Sequence, residues 1–140
     1  MARRTARETA MKLVYEWSLC GEENSETLHN IAADTPLTEE DYVYITGVVA
    51  GIRQFVTRLD ELIAKHAVGW SVERIGKVDL AILRLALYEI DYRDDVPPAV
   101  AINEAVELSK RYGTDDSPAF INGVLGGYMR SCVKEATERS

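Results

Sequence analysis

The stretch Val78–Tyr92, with the sequence VDLAILRLALYEIDY, is the most apolar continuous segment of the chain. Alanine and leucine are strong helix formers, and Gly76 stands just before the segment. Its polar residues Asp79, Arg84 and Glu89 are five positions apart, so on a helix they point to different sides. The segment therefore predicts a helix that is covered on nearly every side, at the centre of a helical domain.

The central segment is too short and too charged to cross a bilayer, which requires about 20 mostly apolar residues. No signal peptide is recognisable before the first predicted helix, so a cytoplasmic protein without a membrane partner is expected. The cysteines Cys20 and Cys132 have no second cysteine or histidine at ligand spacing. We therefore expect no disulfide framework, no metal site and no cofactor.

The rest of the chain supplies helices to cover the central one. Apolar residues recur every three or four positions in four further stretches, which is the spacing of a helix with one buried face. These stretches are Arg3–Cys20, Thr38–His66, Pro98–Tyr112 and the residues after Pro118. A short additional helix is expected from Ser25 to about Asp34. The pattern predicts an all-α protein of about seven helices, with no strand.

Two glycines, Gly47 and Gly51, lie four positions apart inside the long predicted helix. This spacing lets a neighbouring element approach the helix backbone closely. The alternative is that both glycines are merely tolerated, at a cost of about 1 kcal/mol each relative to alanine. The sequence alone leaves both interpretations open.

Arg84 is the charged residue that the central segment carries into the interior. A buried guanidinium needs a counter-charge. Glu104 and Glu107, on the next predicted helix, are the candidates. We therefore predict a structural ion pair between the central helix and the one that follows it.

The charge of the chain is unevenly distributed. Its formal net charge is −7, yet residues 1–12 hold four cations against one acid, a net +3, which leaves −10 for the remainder. A small basic end on an acidic body can bind a phosphate backbone locally while the body repels indiscriminate contacts. The alternative is a solvated basic terminus with no ligand.

The sequence contains no recognisable catalytic arrangement. His29 and His66 lie on different predicted helices without an evident nucleophile or carboxylate partner. The glycines of 123–127 lie inside a helical pattern rather than after a strand, which argues against a phosphate-binding loop. The acidic pairs at 94–95 and 115–116 fit helix N-termini better than a metal site. An enzyme is therefore not expected.

Three blocks of sequence, in a fixed order, carry a resemblance to a known family. They are Arg3–Glu8 through Leu13–Tyr15, then Val78–Glu89 with Val96-Pro97 and Val100–Leu108, and finally Asp116-Ser117 with Phe120–Leu125. Together they resemble the NusB family of bacterial transcription antitermination factors over nearly the whole chain. The resemblance implies one all-helical RNA-binding domain made of two packed subdomains, approximately residues 1–68 and 69–140, without catalytic activity.

The resemblance also implies partners and site residues. Members of the family bind the boxA RNA element of ribosomal and phage transcripts together with the ribosomal protein NusE, and help RNA polymerase to pass terminators. By motif, the residues implied to bind RNA are Arg3, Arg4, Arg7, Asp116 and Phe120. Those implied to face NusE are Tyr15 and Asp79. Whether the free protein forms a homodimer stays open.

The residues themselves are compatible with this function without requiring it. Single-stranded RNA is held by cations on its backbone and by aromatic rings stacked on its bases. Phe120 can supply such a ring or can be an ordinary core residue. Asp116 either accepts a hydrogen bond from a base or caps a helix.

Two other functions remain possible at this point. The chain can be the NusB-like recognition domain of a ribosomal RNA methyltransferase, although such an enzyme needs a further cofactor-binding domain that these 140 residues do not contain. It can also be a purely structural helical adaptor, in which the arginines near the start have no ligand. The adaptor predicts no RNA affinity even when the partner is present.

Overall fold

The chain folds into helices, with no strand in the part that the structure describes. The computed structural model describes residues 3–21, 28, 30 and 33–139, with side chains up to residue 135. The described helices are α1 (Arg4–Cys20), α2 (Glu39–His66), α3 (Lys77–Tyr92), α4 (Pro98–Tyr112) and α5 (Ser117–Arg139), and a short 3-10 turn spans Val72–Arg74. The all-α prediction is confirmed. Five α-helices rather than about seven occur in the described ranges, and the helix predicted from Ser25 lies largely outside them.

Helix α3 is the centre of the fold, as the apolar segment predicted. Within the described residues it packs against each of the other four α-helices. The seven residues in the run 81–87 are all at most 8% exposed. Because neighbours cover every side, one continuous cluster of buried residues includes side chains from all five helices. The division into subdomains near residue 68 stays a prediction.

The two glycines of α2 have different surroundings. A side chain at Gly51 would overlap the ring of Tyr88 on α3, whereas a side chain at Gly47 would meet nothing. Gly51 thus admits the close approach of α3, and Gly47 is simply tolerated. The interpretation as a close approach therefore holds at Gly51, and the interpretation as a tolerated glycine holds at Gly47.

The predicted partner of Arg84 was wrong. Its Nε and Nη2 each lie 2.8 Å from a carboxylate oxygen of Asp60, which is on α2. The ion pair therefore joins the central helix to the preceding long helix, not to Glu104 or Glu107 on the following one. The reason is that Arg84 lies on the side of α3 that faces α2. Which helix faces that side is set by the packing of the helices and not by their order in the sequence.

Candidate nucleic-acid interface

Arg7, one of the arginines predicted to contact RNA, is buried between two helices. Its Nε and Nη2 lie 3.0–3.2 Å from the carboxylate oxygens of Glu89 on α3. The two side chains are only 3% and 2% exposed. This pair joins α1 to the central helix, and contact between Arg7 and a phosphate would require the pair to separate.

Arg3, the second of these arginines, is exposed but held by a carboxylate at the start of α2. Its Nε and Nη2 both donate to Asp41, and Nη2 also donates to the carbonyl of Pro36. Asp41 closes the capping box of α2 as well, because it accepts from the Thr38 amide at 2.9 Å while its own amide donates to Thr38 Oγ1 at 3.1 Å. Arg3 therefore attaches the start of α1 to the start of α2.

This arrangement predicts a specific loss of stability in acid. The hydrogen bonds from Arg3, followed in importance by those from Thr38, lower the pKa of Asp41 from 3.8 to about 2. Because the pKa is lower in the folded state, the stabilisation is complete above about pH 4 and is lost as the pH falls towards 2. We expect the urea midpoint to fall less between pH 5 and pH 2.5 for Asp41→Asn than for the unmodified protein.

The control for this experiment is Asp115→Asn, which removes an exposed carboxylate outside the capping box. It should lose stability in acid as the unmodified protein does. Equal losses for Asp41→Asn and the unmodified protein would show that the capping box does not contribute to the pH dependence.

Arg4, the third of the arginines, combines exposure with open hydrogen-bond donors. Its side chain is 69% exposed. Its Nε lies 3.2 and 3.4 Å from the two carboxylate oxygens of Glu104 on α4. Its terminal nitrogens make no hydrogen bond to any residue that the structure describes. Glu104 thus orients the guanidinium while leaving its outer edge available.

Arg4 lies in a groove that we call the α1–α4 groove. It is lined by Arg4, Glu8, Glu104, Glu107, Leu108, Lys110 and Arg111. Each cation is paired with a carboxylate of the same groove: Arg4 with Glu104, Lys110 with Glu107, and Arg111 with Glu8. The groove continues beside the start of α5, past Asn103, Pro118, Ala119 and Asn122.

A second concavity, which we call the corner pocket, brings together residues predicted for two different partners. It is a cavity of about 220 Å³ lined by Trp70, Arg74, Ile75, Gly76, Asp79, Thr114, Asp116, Ser117 and Phe120. Asp116 and Phe120 were implied to bind RNA and Asp79 to face NusE, yet all three share this pocket. Tyr15 does not line it and is half-buried on α1.

The first turns of α5 join the two concavities. Pro118, Ala119 and Asn122 face the α1–α4 groove. Asp116, Ser117 and Phe120 face the corner pocket. A strand of nucleic acid that crosses the start of α5 would thus pass directly from one to the other.

Comparison with known proteins decides which family has this architecture. Residues 4–130 match the family model described as the NusB family. The chain belongs to the NusB family. The resemblance carried by the three sequence blocks is thereby confirmed.

Relatives and solved structures agree with this assignment. The transcription antitermination protein NusB of Ruminiclostridium cellulolyticum is 42% identical over 137 residues, which cover 98% of this chain and 94% of the relative. NusB of Acetivibrio thermocellus is 48% identical, with 93% and 90% covered. The structure of T. maritima NusB superposes with a TM-score of 0.83 at 31% identity, covering 93% of this chain and 92% of that one.

A further solved structure contains partners. A crystal structure of the antitermination factors NusB and NusE in complex with dsRNA matches this chain with a TM-score of 0.81. The identity is 28%, and the match covers 92% of this chain and 96% of the other. A NusB-type fold is therefore known in a complex with both a protein and RNA.

Sequence reasoning missed part of the α1–α4 groove in this NusB-family chain. Lys110 and Arg111 lie beside Arg4 although they follow it by 106 and 107 positions in the sequence. Their signal was the consecutive pair of cations near the end of α4. Such a pair is also typical of any helix C-terminus, where cations interact favourably with the helix dipole, so it did not stand out.

Other kinds of site are not evident in the described part of this NusB-family chain. None of its described helices is both long and apolar enough to cross a membrane. Among the same residues, no group of three or more histidine, cysteine and acidic side chains could hold a metal ion.

Proposed function

We propose that this protein is a non-catalytic transcription antitermination factor that binds boxA RNA of ribosomal RNA transcripts together with the ribosomal protein NusE, in the cytoplasm. The observation that carries the proposal is the NusB-family match over residues 4–130. The likeness of its fold to NusB in complex with NusE and dsRNA supports the choice of partners. The RNA polymerase antitermination complex is then the assembly in which the protein acts.

In this proposal the α1–α4 groove receives the RNA backbone. Arginine carries five N–H donors, so Arg4 can keep its Nε on Glu104 while its terminal nitrogens bind a phosphate. Lys110 and Arg111 can exchange their carboxylate partners for phosphates. Exposed ion pairs of this kind contribute only about 0–1 kcal/mol each, so the exchange is not costly. The paired carboxylates keep the empty groove near neutral, which limits non-specific binding.

The other two arginines, Arg7 and Arg3, contribute to the groove mainly by holding Arg4 in place. Arg7 joins α1 to α3 through Glu89, and Arg3 joins the start of α1 to Asp41. Between them, these contacts hold the first turn of α1, where Arg4 is located. Arg3 is 52% exposed in its side chain, and it lines a separate concavity beside the start of α2 rather than the α1–α4 groove.

The NusE-facing residues are proposed to be Tyr15 and Asp79. Asp79 lies in the first turn of α3 and lines the corner pocket. An acidic group at this place suits a basic ribosomal protein, since complementary charges orient docking. Because Asp116 and Phe120 line the same pocket, RNA and NusE would meet there. A homodimer of the free protein stays a prediction, which sedimentation velocity would test.

The proposal predicts that the groove determines the salt dependence of RNA binding. Each phosphate contact with a single strand contributes about 0.7 to the slope of log K against log salt. The triple variant Arg4→Gln, Lys110→Gln, Arg111→Gln should therefore bind boxA RNA more weakly and lower this slope by up to about two. Fluorescence anisotropy of labelled boxA RNA with NusE present, over a series of salt concentrations, measures both quantities.

The matched control is Lys134→Gln, which removes an exposed cation far along α5. Lys134 is 16 residues beyond Pro118, or about 24 Å along a helix. For Lys134→Gln, the slope of log K against log salt should equal that of the unmodified protein. An unchanged slope in the triple variant would show that RNA lies elsewhere. A folded protein that does not distinguish boxA from scrambled RNA, with or without NusE, would favour the structural adaptor.

A further inference from the structure

Two ion pairs of opposite direction cross the α1–α4 groove. In one, Arg4 of α1 reaches Glu104 of α4, with Nε 3.2 Å from the nearer carboxylate oxygen. In the other, Arg111 of α4 reaches Glu8 of α1, with Nη1 2.5 Å from a carboxylate oxygen. Each helix therefore contributes one cation and one acid to these pairs, and the charge alternates along both walls of the groove.

In both pairs the cation is on the outside and the acid is on the inside. The side chains of Arg4 and Arg111 are 69% and 65% exposed, whereas those of their partners Glu104 and Glu8 are 18% and 20% exposed. The two carboxylates thus form the floor of the groove, and the two guanidiniums form its rim. RNA that enters the groove meets the guanidiniums first.

Arg111 is held from two sides. Its Nη1 donates to Glu8, and its guanidinium lies 5.4 Å from the centre of the Tyr112 ring. The Tyr112 hydroxyl donates to the second oxygen of the same carboxylate at 3.1 Å. Nε and Nη2 of Arg111 make no hydrogen bond to a residue that the structure describes. The orientation of Arg111 is therefore set by Glu8, as that of Arg4 is set by Glu104, and both arginines keep donors for a ligand.

We propose that Glu8 and Glu104 determine the specificity of RNA binding by fixing where the groove accepts phosphates. This inference rests on the proposed function, and it makes the two carboxylates positioning residues that do not themselves contact RNA. A strand whose phosphates fit the two fixed guanidiniums is bound without breaking either ion pair. A strand in any other register must draw a guanidinium away, which leaves a largely covered carboxylate without its cation and near a phosphate.

This arrangement penalises non-specific binding more than specific binding. Non-specific binding of RNA depends on phosphate contacts in every register that the protein allows. Fixed guanidiniums reduce the number of such registers. A specific RNA loses less, because contacts with its bases already hold it in one register. The two carboxylates therefore raise the ratio of specific to non-specific affinity, beyond the effect of a groove that is neutral overall.

The test is the double variant Glu8→Gln, Glu104→Gln. It removes both charges, but the amide oxygens can still accept hydrogen bonds from the same donors. We expect affinity for scrambled RNA to rise by about 5- to 20-fold, and the ratio of boxA to scrambled affinity to fall by about 3- to 10-fold, as for the loss of two exposed charge pairs. The slope of log K against log salt for scrambled RNA should become steeper by up to about 1.4, or about 0.7 for each released guanidinium.

Fluorescence anisotropy of labelled boxA and scrambled RNA, with NusE present, measures these quantities. The matched control is Glu107→Gln, because Glu107 lines the same groove but is 48% exposed and pairs with Lys110 of its own helix. It should raise the affinity for both RNAs without lowering their ratio. The combination Glu61→Gln, Glu135→Gln removes two exposed acids outside the groove and should change neither affinity appreciably.

The competing explanation is that the two ion pairs only join α1 to α4. In that case the double variant would melt at a lower temperature and would keep the ratio of affinities of the unmodified protein, which overturns the inference. An equally large fall in the ratio for Glu107→Gln would overturn it as well, because the charge of the groove would then suffice. In both cases the unmodified protein still selects boxA and the proposed function stands. If the unmodified protein does not prefer boxA to scrambled RNA, both are overturned.

Discussion

Replacing Glu89 by alanine is expected to lower the free energy of unfolding by about 3–5 kcal/mol. The change leaves the Arg7 guanidinium buried without the carboxylate that lies 3.0–3.2 Å away. A buried charge that has lost its partner keeps its desolvation cost but not the compensating attraction. Urea unfolding followed by circular dichroism measures the difference, and the slope m shows whether unfolding remains two-state.

Two controls test whether the buried pair is the cause. Glu107→Ala removes the partner of Lys110, an exposed pair, and should change stability by less than about 1 kcal/mol. The double variant Arg7→Met, Glu89→Leu removes both charges and should recover much of the loss, because no charge remains buried. A double variant as unstable as Glu89→Ala would show that the loss comes from packing rather than from charge.

Replacing Gly51 by alanine is expected to cost about 1–3 kcal/mol, the usual range for inserting atoms into a packed core. The new methyl group would overlap the Tyr88 ring. A shift of the Tyr88 ring would disturb its stacking on Tyr92, at a centroid distance of 5.2 Å, and Tyr92 in turn stacks on Phe55 at 4.4 Å. The melting temperature and the urea midpoint should both fall.

The matched control is Gly47→Ala, one helical turn earlier. The space around Gly47 is open, so alanine should stabilise the protein by up to about 1 kcal/mol through its higher helix propensity. The two substitutions are chemically identical and lie in the same helix, yet they should have opposite signs. If both stabilise the protein equally, the close contact between α2 and Tyr88 is not maintained in solution.

The functional surface was only partly accessible to sequence reasoning. The resemblance implied Arg3, Arg4 and Arg7 as one group, but the structure gives them different surroundings. Among these three, Arg4 is the one in which both terminal nitrogens lack a hydrogen bond to a described residue. In Arg3 and Arg7, Nη2 is bonded to a carboxylate. Trp70, which lines the corner pocket, is not among the predicted site residues, because an isolated tryptophan in a short connection has no periodic pattern. Its exposure and its contact with Phe120 appear only once the chain is folded.

Residue order alone predicts the five described α-helices and the central place of α3. Helix formation depends on residues within a few positions of each other, through apolar periodicity, propensity and capping. The capping box of Thr38 and Asp41 and the apolar segment 78–92 are signals of this local kind. The three blocks that identify the NusB family are also read directly from residue order.

Which side chains meet follows from the way the helices pack, and residue order does not show it. Arg84 pairs with Asp60 and Arg7 with Glu89, and Asp79 shares a pocket with Phe120. These contacts depend on the rotation and spacing of whole helices, which the packing of the entire core sets at once. A rotation of one helix by one residue, about 100°, would replace every such partner while leaving the apolar pattern of the sequence unchanged.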